Sequence, residues 1–269
     1  MSDVSFNQGL MNFIRNSPTP FHAVAEMATL LDTANFVRVE ESQHWQLEKN
    51  KSYYTIRNES ALIAFKTGAH KLVEGGIHLS GAHTDSPCLK VKPTPEITGK
   101  GYLQLGVEVY GAALLHPWFD RDLSLAGRVE YEAKEGELYS CLIDLADPVA
   151  FIPSLAIHLD RNANNGRKIN AQKELPPVLL RIENKADFDL DSFLLNYLQN
   201  KLGLVDASKV LSHELVFYDS QPPALVGLEQ QFIAAARLDN LPSCYIGVCA
   251  LINSNDEYAS LLVVMTMKK

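Results

Sequence analysis

The run Gly75-Gly76-Ile77-His78-Leu79-Ser80-Gly81-Ala82-His83-Thr84-Asp85-Ser86-Pro87 decides how the chain is read. After the two glycines, residues 77–82 have the character of a strand, and the strand gives way to the polar cluster that His83 begins and Pro87 ends. Polar residues gathered at a strand end are where open α/β sheets carry their chemistry. His83 can ligate a metal through one ring nitrogen, while the Asp85 carboxylate, two residues on, orients the ring from the other nitrogen. His-x-Asp is a short pattern, and taken alone an ordinary surface or packing histidine is the commoner case. The small residues around it and the abrupt Pro87 leave room for a ligand to approach.

Upstream, helix and strand alternate. Thr19 can cap a helix with Pro20 at its first position and Phe21, Val24, Ala25 and Ala28 as an apolar stripe. Short strands are expected at 52–56 and 61–65, separated by the turn Arg57-Asn58-Glu59-Ser60. Downstream, Lys92-Pro93-Thr94-Pro95 reads as a stiff extended connection and hence a domain boundary. Beyond it the pattern is β-rich. Leu103, Leu105, Val107 and Val109 alternate with Tyr102, Gln104, Glu108 and Tyr110, and residues 128–133 and 138–143 flank a four-residue hairpin loop. A helix from about Asp191, with Phe193, Leu194, Tyr197, Leu198 and Leu202 on one side, is expected to stop at Gly203, and 210–218 is again strand-like. After Ser220-Gln221-Pro222-Pro223 the alternation returns, with a helix over 243–251 and a buried-type strand at 261–265. The division is therefore 1–92, an inserted β-rich domain at 93–232, and 233–269 as the second part of the α/β domain.

Composition narrows the function. With 24 Lys+Arg against 32 Asp+Glu, the net charge of −8 and pI near 5.5 argue against nucleic acid and anionic membranes as partners. The N-terminus does not read as a signal peptide, and the longest apolar run, 245–252, is too short to span a bilayer. Four cysteines without a CxxC pair suit a reducing compartment, so a cytoplasmic protein is expected.

Two further clusters could carry chemistry. In Arg237-Leu238-Asp239-Asn240-Leu241-Pro242, Asp239 could bridge two metal ions, although on spacing the favoured role is capping the helix near Pro242. In Leu155-Ala156-Ile157-His158-Leu159-Asp160-Arg161, alternation places His158 on the polar face of a strand, where a lone histidine is ordinarily solvated. Asp120-Arg121-Asp122 reads as an ion-pair turn in preference to a functional cluster. His22, His44, His70, His78, His116 and His213 have no acidic or cysteine partners at ligand spacing. There is no GxSxG elbow, phosphate-binding glycine loop or HExxH.

Taken together, Ser17-Pro18-Thr19-Pro20-Phe21-His22, Gly81-Ala82-His83-Thr84-Asp85-Ser86-Pro87, Trp118-Phe119-Asp120-Arg121-Asp122-Leu123, Ala156-Ile157-His158-Leu159 and Ala236-Arg237-Leu238-Asp239-Asn240-Leu241 resemble the aspartyl aminopeptidase family of cocatalytic zinc metallopeptidases. They occur in the family's order along essentially the whole chain. The resemblance implies a mixed-sheet α/β catalytic domain interrupted by a β-rich dimerisation domain, and homo-oligomers formed through that insert. It also implies removal of N-terminal, often acidic, residues from peptide substrates by a pair of zinc ions. On it, His83 is a ligand of one zinc, Asp85 its catalytic partner behind the ligand, and Asp239 the bridging carboxylate. His158 is either a zinc ligand or a substrate contact in the neighbouring subunit's site. In the family, the strand matching 261–265 leads into an Asp-His-Glu-Glu segment that holds the general base and a further ligand, whereas here Thr266 is followed by Met267-Lys268-Lys269. The match thus implies a catalytic domain incomplete at its C-terminus, with the isolated chain's activity in doubt and the 261–265 strand exposing an unpaired edge. The alternatives are a non-catalytic oligomerisation or regulatory subunit that pairs with intact chains and, more weakly, a metal-dependent hydrolase of another substrate class.

Overall fold

Residues 3–182, 188–255 and 257–266 are described by the computed structural model. The chain divides into two units, Met1–Ser86 with Pro222–Lys269, and Pro87–Gln221. The divisions, at 86/87 and 221/222, come ahead of the expected 92/93 and 232/233 boundaries, and the second falls at the Pro222-Pro223 signal.

The first unit begins with α1 (Asp3–Asn16), α2 (Pro20–Thr33), β1 (Val37–Arg38), β2 (Ser52–Arg57), β3 (Ala61–Lys66), α3 (Leu72–Gly75) and β4 (Ile77–His83). The second runs through β5 (Cys88–Gly99), β6 (Tyr102–Tyr110), β7 (Leu123–Ala133), β8 (Leu138–Asp144), α4 (Ala171–Glu174), β9 (Val178–Arg181), α5 (Leu190–Asn200) and β10 (Ala207–Asp219). The first unit then resumes with β11 (Ala224–Val226), β12 (Phe232–Ala234), α6 (Leu241–Asn253) and β13 (Ala259–Met265).

Local signals account for the helices of the first unit. Thr19 caps α2, its hydroxyl accepting from His22 N at 3.4 Å, and Pro20 supplies the first turn without an orphan N–H. Phe21, Val24, Met27 and Leu31 then fall on one buried stripe. In α6 the stripe is Leu241, Cys244, Tyr245, Val248 and Leu251. Both stripes, with Leu10, Phe13 and Ile14 of α1, pack on Tyr54, Leu62, Ala64, Leu262 and Val264 along one sheet face. The approach is close: a Cβ added at Gly247 would lie 2.8 Å from Leu262 Cδ1.

The sheet order is β1-β2-β3-β13-β4. β13 pairs antiparallel with β3 and parallel with β4, from Ala259↔Ile77 to Met265↔His83. A parallel neighbour requires a crossover, and α6 supplies it. The expectation of an unpaired edge at 261–265 is therefore corrected, because β13 is flanked on both sides. Among the described residues the edge strands are the two-residue β1 and β4, and in β4 Ile77 is 50% and Leu79 68% exposed.

The second unit is an antiparallel sheet of order β8-β7-β10-β5-β6-β9, with Leu190, Leu194 and Leu198 of α5 buried in its core. The proline segment read as a connector lies inside β5, where a register shift between Val91 and Glu96 absorbs residues that lack ladder N–H groups. Helix α5 starts at Leu190, one residue before the expected Asp191, with Asp189 as its cap accepting from Ser192 N at 2.8 Å, and ends at Asn200, ahead of Gly203. The strand expected around His158 is absent. Leu159 N and Asp160 N both bond to Ala156 O, at 2.8 and 3.2 Å, and close turns, because the alternating residues have no partner strand to pair with. Arg121 finds Asp219 at 2.9 Å, so the ion pair is not local to 120–122. No helix among the described residues is long and apolar enough to cross a membrane.

Candidate metal centre

His83 is the last residue of β4, at the C-terminal end of the parallel β4/β13 pair, the position at which α/β sheets expose functional groups. Its chain continues into Thr84, whose N–H donates to Met265 O at 3.2 Å and whose hydroxyl donates to Ser60 O at 3.0 Å. Thr84 and Asp85 are both buried, so the turn after the strand is held from beneath.

The His83 ring lies between two carboxylates. Its Nδ1 is 2.9 Å from the Asp85 backbone oxygen and 3.3 Å from Asp85 Oδ1, and its Nε2 is 3.2 Å from Asp239 Oδ1. The surroundings differ in a useful way: the Asp85 side chain is 4% exposed and that of Asp239 is 73% exposed. With Nδ1 donating to Asp85, the Nε2 lone pair faces outward beside an accessible carboxylate.

Asp239 reaches this place from the loop before α6. Arg237 adopts φ +61° and its guanidinium donates to Ile14 O at 3.0 Å, tying the loop to the end of α1. Ser86 Oγ donates to Asp239 O at 2.7 Å. Asp239 does not cap α6, in contrast to the role that spacing favoured. The N-cap is Asn240, which makes no side-chain capping bond, and Pro242 in the first turn has no N–H to cap.

Three neighbours escaped the sequence reading. Asn240 Oδ1 accepts from His83 N at 3.1 Å, Cys244 Sγ donates to His83 O at 3.1 Å, and Ser86 holds Asp239. Burial pushes the Cys244 thiol up to about 12, its own backbone bond pulling the other way and the Asp85 charge adding to the rise. That thiol is a fixed donor and not a thiolate ligand. Adjacency to Asp239 was the one available signal for Asn240; Cys244 had none, since a buried helical cysteine looks like any small apolar residue.

The first unit thus gathers His83, Asp85 and Asp239, and the second carries His158 on an exposed turn. Imidazole nitrogen and carboxylate oxygen are the donor types zinc takes, so the pair fits that metal in kind. It does not fill a shell: among the described residues no group of three or more His, Cys, Asp or Glu is placed to hold a metal ion.

Comparison with known proteins identifies the family of the chain. The sequence pattern of the family described as "Aminopeptidase I zinc metalloprotease (M18)" matches residues 13–267. A probable M18 family aminopeptidase 2 of Ectopseudomonas mendocina is 54% identical over 256 residues, covering 95% of this chain and 59% of the relative. The chain therefore spans about three-fifths of that relative's length. Among solved structures, Chaetomium thermophilum mApe1 superposes with a TM-score of 0.88 at 30% identity, over 98% of this chain and 62% of its own. The mApe1 dodecamer of S. cerevisiae gives 0.75 at 29% identity, over 97% and 60%. From a family pattern matched along nearly its whole length, and a relative identical at more than half of the aligned positions, it follows that this chain belongs to the M18 family of aminopeptidase I zinc metalloproteases.

Proposed function

We propose that the chain serves zinc-dependent removal of N-terminal residues from peptides, with acidic N-terminal residues preferred. The observation that carries this reading is the 3.2 Å approach of His83 Nε2 to Asp239 Oδ1, with the opposite ring nitrogen on Asp85. His83 is assigned as a ligand of one zinc, Asp239 as the carboxylate bridging two, and Asp85 as the group that fixes the His83 tautomer and ring plane. The chemistry zinc supplies when bound is polarisation of the scissile carbonyl and acidification of water. The chain's own part is to hold Nε2 unprotonated and aimed outward while the exposed Asp239 carboxylate stays in reach of it.

The second unit is assigned as the oligomerisation domain. Its His158 is flanked by Leu155, Ile157 and Leu159, exposed at 57, 47 and 77%, which favours a surface that a partner subunit covers. The dodecamer formed by yeast mApe1 supports the same reading, in which His158 reaches the neighbouring subunit's site as substrate contact or ligand. The four cysteines are free, in keeping with a reducing cytoplasm. This exposed turn also favours a second reading, an oligomerisation or regulatory subunit that pairs with intact family members.

Zinc stoichiometry of Met1–Lys269 together with hydrolysis of aspartyl and leucyl chromogenic substrates tests the proposal. His83 and Asp239 leave a zinc pair under-ligated, so fewer than two zinc ions per chain and no turnover by this stretch alone are expected. Any bound zinc should be lost in His83→Ala. Two zinc ions with turnover would mean that other residues of this stretch complete the centre. Zinc binding indifferent to His83→Ala would sink the ligand assignment. Restored or altered turnover on mixing with an intact family member would favour the second reading.

A further inference from the structure

The open edge of β4 poses a specific problem at His83. In the parallel ladder, Thr84 N donates to Met265 O, and with Met265 opposite His83 the N–H and C=O of His83 itself point away from β13. At an edge strand those groups would be left to water or to a further strand. Here both are taken by side chains from the start of α6. Asn240 Oδ1 accepts the His83 N–H at 3.1 Å, and Cys244 Sγ donates to the His83 carbonyl at 3.1 Å. The Asn240 amide is itself oriented, since its Nδ2 donates to Ser243 Oγ at 3.0 Å.

We propose that Asn240 and Cys244 are positioning residues that clamp the His83 peptide in place of a neighbouring strand, resting on the reading of His83 and Asp239 as zinc ligands. Asn240 follows Asp239 directly, so the bond from His83 N to the Asn240 amide ties together the backbones that carry the two ligands. It sets the separation of Nε2 from the Asp239 carboxylate without touching the metal. Side-chain partners at this point also mean that any strand added along β4 must leave the ladder before His83. The ligand then stays at a strand end instead of being absorbed into the sheet.

The test uses the whole chain and amide hydrogen exchange resolved by residue. In Asn240→Leu the His83 amide is expected to exchange about tenfold faster, the equivalent of one net hydrogen bond, with Ala82 and Thr84, bonded to β13, unchanged. Asn240→Asp, which keeps the acceptor, restores protection, and Cys244→Ser, which keeps a donor, leaves it intact. An unchanged His83 amide in Asn240→Leu overturns the clamp, as does a parallel rise at all three amides, which would report general loosening. Zinc competition with a chromophoric chelator adds the functional arm: Asn240→Leu should weaken binding ~10- to 100-fold. If His83→Ala abolishes zinc binding while Asn240→Leu binds as the parent does, the clamp is wrong and the ligand reading stands. If His83→Ala binds zinc as the parent does, the ligand reading fails, and the exchange data decide the clamp by themselves.

Discussion

Tyr54 donates to Asp32 Oδ1 at 2.7 Å from a side chain almost entirely buried in the first unit. Burial, followed by the hydrogen bond to and the charge of Asp32, pushes the phenol from 10.0 up to about 12. Because the folded state holds this proton more tightly than the unfolded chain, the contribution is complete below pH 10 and is lost as pH rises through about 12. Tyr54→Phe is expected to cost about 1 kcal/mol at neutral pH. In urea denaturation the gap between parent and variant should close as pH climbs above 10; a gap that widens there would contradict the assignment. At this scale, His83 and Asp85 could be found in the sequence because a single residue, Thr84, separates them and one strand end carries both. Asp239 stayed ambiguous between bridge and cap. The tertiary structure excluded the cap and brought Asp239, from a position far along the chain, beside His83.

Among the elements, β4 carries the plainest liability. Ile77 and Leu79 of β4, Met265 of the adjacent β13 and Ile63 of β3 beyond it are exposed at 50, 68, 47 and 38% on an apolar sheet face and edge. Such an edge templates self-association. Leu79→Lys is expected to suppress concentration-dependent association measured by light scattering, with the far-ultraviolet spectrum unchanged. Association as strong as the parent's would place the sticky surface elsewhere. In the second unit, a Cβ at Gly127 would fall 2.0 Å from the backbone oxygen of Glu214 on the paired β10. Backbone on a doubly paired strand has little room to yield, so Gly127→Ala should destabilise by about 1–3 kcal/mol in chemical denaturation. The helices and hairpins were legible because caps, prolines and apolar periods act within a few residues. Two expectations failed for the opposite reason: the strand read at 155–159 had no partner, and the strand at 261–265, present as β13, had two partners where an unpaired edge was expected.

For the molecule as a whole, the testable consequence is assembly. If the second unit is the oligomerisation domain, Leu159→Asp, at a position 77% exposed in the single chain, should shift sedimentation toward smaller species. A parent that sediments as a monomer would count against that assignment. Composition, caps, turn residues and the order of motifs determined the α/β class, the β-rich insert and the residues worth testing, because each depends on near neighbours along the chain. Tertiary structure decided the pairing of β13 with both β3 and β4, the placing of Pro93 and Pro95 inside β5 and not at a unit boundary, and the convergence of Asp239 and Asn240 on His83. Those outcomes depend on which distant backbone groups satisfy one another, and local propensity carries no information about a partner more than 150 residues away.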